Sequence, residues 1–173
     1  MFVGLISDTH GVFSREFAAF LSPVDVIWHA GDWGGGLGFV QQIRDVKPVV
    51  GVYGNCDGLD IRAEFPEYQL FREGGMRVLM THIGGSPGHY YPRAQELIRS
   101  CKPDLFVCGH SHILRVEWDA GASRKGELPA PSGFLYMNPG AAGLQGWQVV
   151  RTALRFKLQD GSVSDLEVFN LPR

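Results

Sequence analysis

An α/β fold of two packed sheets with helices on the outer faces is predicted by three features of the chain. Short continuous apolar runs alternate with amphipathic stretches over the first half of the sequence, as in parallel sheets buried on both faces. The final third changes to strand-like runs with little helical periodicity. Phrases rich in Asp, His, Asn and Gly follow the apolar runs directly. That is the strand edge at which open α/β sheets bind ligands.

Phe2 to Ile6 is an apolar run ending in Ser7-Asp8-Thr9-His10-Gly11, a strand and its loop. Ser14 is placed to cap a helix whose apolar face is Phe17, Ala18, Phe20 and Leu21, with Pro23 stopping it. Val24 to Trp28 reads as the second strand, ending at His29-Ala30-Gly31-Asp32. Glycines 34 to 36 lead into an amphipathic helix carrying Leu37, Val40 and Ile43. Pro48 to Tyr53 is the third strand and runs into Gly54-Asn55-Cys56-Asp57-Gly58.

The pattern then shifts. Tyr68 to Phe71 and Arg77 to Met80 bracket the turn Glu73-Gly74-Gly75, and the second arm ends at Thr81-His82. Pro92 opens a helix with Ala94, Leu97, Ile98 and Cys101 at helical spacing. Asp104 to Cys108 is a further buried strand ending at Gly109-His110-Ser111-His112. Ile113 to Trp118, Phe134 to Met137, Gln148 to Leu158 and Val163 to Phe169 complete the strands, with Asp160-Gly161 as a turn. Residues 119–133, rich in Gly, Pro, Ser and charge, read as an exposed loop or hairpin tip.

With 173 residues, 45% of them apolar, the chain suits one domain (1–173) with a proper core. A net charge of −2 and scattered Lys and Arg argue against a grip on long nucleic acid. Cys56, Cys101 and Cys108 have no zinc-finger spacing and suit a reducing compartment. The apolar N-terminus is short, lacks a basic leader and reads as a strand, so a cytoplasmic protein with no membrane span is expected.

Seven residues in the strand-end phrases carry metal-binding chemistry: Asp8, His10, Asp32, Asn55, His82, His110 and His112. Taken singly, Gly-Asp and Gly-Asn are turn formers, and a lone His82 is an ordinary hydrogen-bonded histidine. Together they exceed the three or four ligands of a single zinc site. They suit two divalent ions about 3.5–4 Å apart, a device for phosphoester hydrolysis. Oxygen and imidazole donors favour manganese, with iron, zinc or nickel as alternatives. His29 reads as a packing residue or as support for these ligands, and His89 as an exposed loop residue.

The series Asp8-x-His10, Gly31-Asp32, Gly54-Asn55-Cys56-Asp57, His82 and Gly109-His110-x-His112 resembles the calcineurin-like metallophosphoesterase superfamily. Within it the chain resembles the small YfcE/Vps29-type phosphodiesterase branch, with Asn138-Pro139-Gly140 as a further shared phrase. The resemblance implies a four-layer α/β/β/α sandwich. It implies one metal held by Asp8, His10, Asp32 and His112, and a second held by Asp32, Asn55, His82 and His110. It implies a phosphodiesterase in which a metal-bridging hydroxide attacks a small phosphoester. A phosphomonoesterase, or a non-catalytic scaffold retaining a metal site, is the alternative.

Two departures stand out. Cys56 occupies a place where many members carry His, which favours substrates with good leaving groups. No Arg follows Asp32, as it does in the protein Ser/Thr phosphatases of the superfamily. Cys56 and Asp57 are expected beside the ligands, and Asn55 and Trp33 against substrate. Trp33, Tyr90 and Tyr91 are candidates for an aromatic wall. Exposed strands near the C-terminus suggest a homodimer.

Overall fold

The computed structural model describes residues 1–120 and 133–173, so most of the expected loop 119–133 lies outside the described residues. The first sheet contains β1 (Phe2–Ile6), β2 (Val26–His29) and β3 (Val49–Gly51), with α1 (Arg15–Leu21) and α2 (Gly36–Arg44) as the crossovers between them. The helix α3 (Leu59–Glu64) leads to the second sheet. That sheet holds β4 (Tyr68–Glu73) and β5 (Met76–Thr81). A two-stranded hairpin of β6 (Gly85–Ser86) and β7 (His89–Tyr90) comes next, followed by α4 (Pro92–Cys101) and β8 (Leu105–Val107). The chain ends with β9 (Leu114–Asp119), β10 (Phe134–Pro139), β11 (Val150–Gln159) and β12 (Ser162–Pro172).

Strand order is β12-β11-β1-β2-β3 in one sheet and β4-β5-β8-β10-β9 in the other. Each sheet is mixed. Its centre is parallel, as in β1 with β2 and β5 with β8, while β11 and β9 pair antiparallel. Alternation along β1 explains the layers. Val3 and Leu5 face Met80, Val107 and Met137 of the other sheet, whereas Ile6 joins Phe17, Leu21, Val40 and Ile43 beneath the helices. On the far side, Leu79, Phe106 and Tyr136 pack with Ala94 and Leu97 of α4. Both faces of the central strands are therefore covered, which is why those strands read as unbroken apolar runs. The result is the expected α/β/β/α sandwich.

The differences from the sequence reading are local. α3 was not anticipated; it has six residues and buries Ile61 alone, too little for a periodic signal. The hairpin of β6 and β7 is two residues per arm, below the length at which alternation can be read. The second strand starts at Val26, because Val24 packs with α1. Ser14 holds the N-cap position of α1, but its hydroxyl makes no capping hydrogen bond. Among the described residues, no helix is long and apolar enough to cross a membrane.

Candidate metal centre

The loops after β1, β2, β3, β5 and β8 meet at one rim of the sandwich. Backbone hydrogen bonds stitch them together: Asp8 N–H to Gly31 O at 2.9 Å, His10 N–H to Asp32 O at 3.1 Å, and Gly109 N–H to His82 O at 3.0 Å. Eight described non-glycine residues have positive φ; five are Asp8, His10, Asp32, His110 and His112. Such backbone is unfavourable for residues with a Cβ, and surrounding structure must impose it. Here that structure is the mutual bonding of the loops.

Two glycines make close approach feasible. A Cβ on Gly31 would lie 2.6 Å from His82 Nδ1, and one on Gly54 would lie 2.0 Å from Asp32 Oδ1. Side chains at either place would push a candidate ligand out of position.

The donor atoms converge in three groups, each with members within 4.8 Å of one another: Asp8, His10 and His112; Asp8, Asp32 and His82; and His10, Asp32 and Cys56. His82 Nε2 lies 3.3 Å from Asp32 Oδ2 and 3.9 Å from Asp8 Oδ1, so it reaches both carboxylates. His112 Nε2 is 3.1 Å from Asp8 Oδ1, and His10 Nε2 is 3.9 Å from Asp32 Oδ2. The His110 ring stands 5.3 Å from the His82 ring, and the His110 backbone N–H donates to Asp8 Oδ2 at 3.1 Å. Asn55 is exposed at the end of its turn, with Nδ2 3.2 Å from Cys56 Sγ.

Electrostatics follow from this crowding. Burial opposes the charge on Asp32, yet the adjacent His82 ring outweighs it and holds the carboxyl well below its usual range. Burial also opposes the His82 imidazolium, but Asp32 and Asp8 raise its pKa overall. The Asp8 carboxylate, 3.1 Å from His112 Nε2, raises His112. His110 is lowered, first by burial and then by His82.

Around the donors lies a supporting layer. His82 Nδ1 sits 2.7 Å from Ala30 O, so it carries the proton and leaves the Nε2 lone pair for a ligand. His29 Nδ1 accepts the Gly31 N–H at 3.1 Å, which puts its proton on Nε2. That proton goes to Thr9 Oγ1 at 2.9 Å, and the Thr9 hydroxyl donates to Trp33 O at 2.8 Å. His29 therefore ties the first two loops together. Burial holds its pKa well below the ordinary value, so it stays neutral.

Asp57 accepts four backbone N–H bonds, from Asp32, Trp33, Gly34 and Gly54, at 2.7–3.2 Å. Asn138 Nδ2 donates to Gly109 O at 2.8 Å and Ser111 Oγ at 3.1 Å, fixing the turn that carries His110 and His112. Its role as a loop fastener was not read from the sequence, where only the phrase Asn138-Pro139-Gly140 marked it. Nor was the Thr9 hydroxyl singled out.

One sequence expectation fails. Trp33 is completely buried, stacked on His29 at 3.7 Å and on Phe65 at 4.3 Å, with Nε1–H donating to Val52 O. It is a core residue and cannot contact substrate. Tyr90 also packs inward, with its hydroxyl donating to Asp119 Oδ2 and its ring against Phe106. Of the aromatic wall, Tyr91 alone is half-exposed, 6.4 Å from the His110 ring.

Asp8 Oδ1, His10 Nε2 and His82 Nε2 are buried and have no hydrogen-bond partner among the described residues. Buried polar atoms without partners are costly and rare. Carboxylate oxygens beside imidazole nitrogens are the donor set of borderline divalent cations, so these residues fit metal ions.

A model of the calcineurin-like phosphoesterase superfamily domain matches residues 1–161. The chain belongs to this superfamily. No curated protein sequence matches it. Solved structures share the fold of this chain at low identity. An archaeal phosphodiesterase is 19% identical, covering 99% of this chain and 100% of its own, with a TM-score of 0.69. A Thermotoga maritima protein is 22% identical over 98% and 99% of the two chains, with a TM-score of 0.67. Wild-type Vps29 from Entamoeba histolytica, solved with zinc, is 19% identical over 98% and 99%, with a TM-score of 0.64.

Proposed function

We propose that this calcineurin-like phosphoesterase is a phosphodiesterase that works with two divalent metal ions. The observation that carries the reading is the set of partnerless buried donors, Asp8 Oδ1, His10 Nε2 and His82 Nε2, grouped around the Asp32 carboxylate. Asp8, His10, Asp32 and His112 would hold one ion; Asp32, Asn55, His82 and His110 would hold the other, with Asp32 shared. When bound, such a pair of cations supplies a water of lowered pKa and stabilises charge on a phosphoryl group.

The chain's own residues supply the rest. Ala30 O fixes the His82 tautomer, Asp57 fixes the Asp32 backbone, and Asn138 fixes the turn of His110 and His112. Asn55 offers a neutral amide, which keeps the rim from repelling an anionic ester. No protein nucleophile is called for. The nearest thiol, Cys56, is pushed up to about 11 by desolvation and by Asp32, so it stays protonated at neutral pH. A diester with a good leaving group is the substrate this centre suits.

Hydrolysis of bis(p-nitrophenyl) phosphate and of its monoester, with manganese, nickel, zinc or a chelator, tests the proposal. Metal-dependent turnover of the diester, lost with chelator and reduced at least about 100-fold in Asp32→Asn, is expected. A protein that binds two ions and turns over neither ester would instead be a scaffold retaining its metals.

A further inference from the structure

A cleft of about 390 Å³ borders the metal centre, with His110 in its wall. One side is the short β6–β7 hairpin and Tyr91, which follows it; the other is the turn after β8, with Ile113 and Arg115. Tyr136 lines the cleft as well. We infer that this cleft seats one ester substituent of the substrate and that the substituent is an uncharged ring, as in an aryl or nucleoside ester. The inference rests on the phosphodiesterase reading and extends it to substrate class.

Position comes first. His110 belongs both to the cleft wall and to the candidate metal ligands, so an ester held beside His110 would have the cleft next to one of its substituents. The volume falls in the range that holds small organic ligands.

Surface chemistry comes second. Tyr91 and Ile113 present apolar surface beside His110, at 50% and 53% exposure. Tyr91 is not a loose side chain on a loose loop. Its N–H donates to Gly84 O at 3.2 Å, and Pro92 starts α4 directly after it. A tyrosine whose backbone is anchored in this way can stack its ring on another with only its own side-chain rotations to lose.

Charge decides against an anionic occupant. Arg115 is the only lysine or arginine among the described lining residues. Its Nε and Nη2 are both held by the Glu117 carboxylate, at 2.8 and 2.9 Å. A second phosphate in the cleft would find that cation already neutralised. The Tyr136 hydroxyl is committed too, donating to Gly85 O at 2.7 Å and accepting from Cys108 Sγ–H. What is left to recognise a ligand is the ring of Tyr91 and the aliphatic surface of Ile113, with Ser86 and His89 as the polar side chains of the hairpin side.

Equilibrium binding to the manganese-loaded protein, by calorimetry, tests this independently of turnover. Diphenyl phosphate presents a ring in either orientation; dimethyl phosphate presents none. The phenyl diester should bind about tenfold more tightly. Tyr91→Ala and Ile113→Ala, both surface substitutions, should each reduce that preference to less than about threefold. The methyl ester of thymidine 5′-phosphate should share the preference over dimethyl phosphate. Equal affinities for the phenyl and methyl diesters, binding of neither, or a preference that survives both substitutions would overturn the inference. A protein that keeps the preference yet hydrolyses no diester would overturn the catalytic reading and leave the ring-binding cleft in place.

Discussion

Asp57 holds Asp32 by its backbone: Asp57 Oδ2 accepts the Asp32 N–H at 3.0 Å, while Asp32 Oδ2 faces His82 Nε2 at 3.3 Å. The same Asp57 oxygen accepts the Gly54 N–H at 2.7 Å, so one carboxylate fastens the turns that carry Asp32 and Asn55. Burial and the nearby Asp32 charge raise the Asp57 pKa, while the amide N–H bonds pull it down.

Removing that carboxylate should therefore cost both stability and metal. Asp57→Ala leaves four amide groups without an acceptor. It should destabilise the protein by about 3 kcal/mol and weaken manganese binding about 10- to 100-fold. Urea denaturation and a manganese titration give the two numbers. Unchanged metal affinity would mean that the turns hold their shape without Asp57.

Much of the site was legible in the sequence, because strand-end phrases carry residue types that turns alone do not require. The layers were legible as well, since strands covered on both faces leave no polar alternation. Trp33 shows the limit. An aromatic residue next to Asp32 reads as accessible, but its backbone turn sends the ring inward between His29 and Phe65. The supporting roles of Thr9 and Asn138 depend on contacts 20 to 29 residues away in the chain, which no local pattern encodes. His29 reads as support for the loops because both of its ring nitrogens are already bonded within them, to Thr9 Oγ1 and the Gly31 N–H.

Gly146 is expected to control His112. Its φ is 93°, and a Cβ there would lie 2.2 Å from His112 Nδ1. Arg173 holds the same loop, donating to Gly146 O at 3.0 Å and Gln145 O at 2.7 Å, so the loop cannot retreat freely. Gly146→Ala should displace the His112 ring and weaken manganese binding about tenfold. It should cost about 1 kcal/mol of stability, as a residue with a Cβ is strained at this φ. Isothermal titration alongside chemical denaturation separates the two effects. Full metal affinity in this variant would show that the loop yields instead of the ring.

His29 should remain neutral to well below pH 6.5 in the folded protein. Its pKa is depressed, chiefly by burial, so between the folded value and about 6.5 the unfolded chain binds a proton that the folded chain does not. Stability therefore rises with pH across that window. The contribution is complete above about pH 6.5 and is lost as pH falls through the folded value. Between pH 7 and pH 5, the metal-free wild type should lose more stability than His29→Gln, the difference appearing as pH falls below about 6.5. In NMR titrations the His29 ring signals should show no midpoint at the ordinary histidine value of about 6.5 or above it. A midpoint near 6.5 would contradict the buried, doubly bonded ring.

Cys56 tests whether the thiol takes part in chemistry. It is exposed, yet its pKa is pushed up to about 11, first by desolvation and then by Asp32, whose Oδ1 accepts the Cys56 N–H at 2.8 Å. A thiol is alkylated as its thiolate, so iodoacetamide at pH 7.5 should modify Cys56 in the metal-free protein at least about tenfold more slowly than a simple thiol. Peptide mass spectrometry assigns the site, because Cys101 is partly exposed and Cys108 is buried, with its pKa raised to about 12. A protonated, weakly donating thiol does little for a departing alkoxide, whereas an aryl oxide leaves without help. Cys56→Ala should then change turnover of bis(p-nitrophenyl) phosphate by less than about threefold. A fall of about 100-fold on aryl and alkyl diesters alike would assign the thiol a direct part in catalysis and remove the reason for favouring good leaving groups.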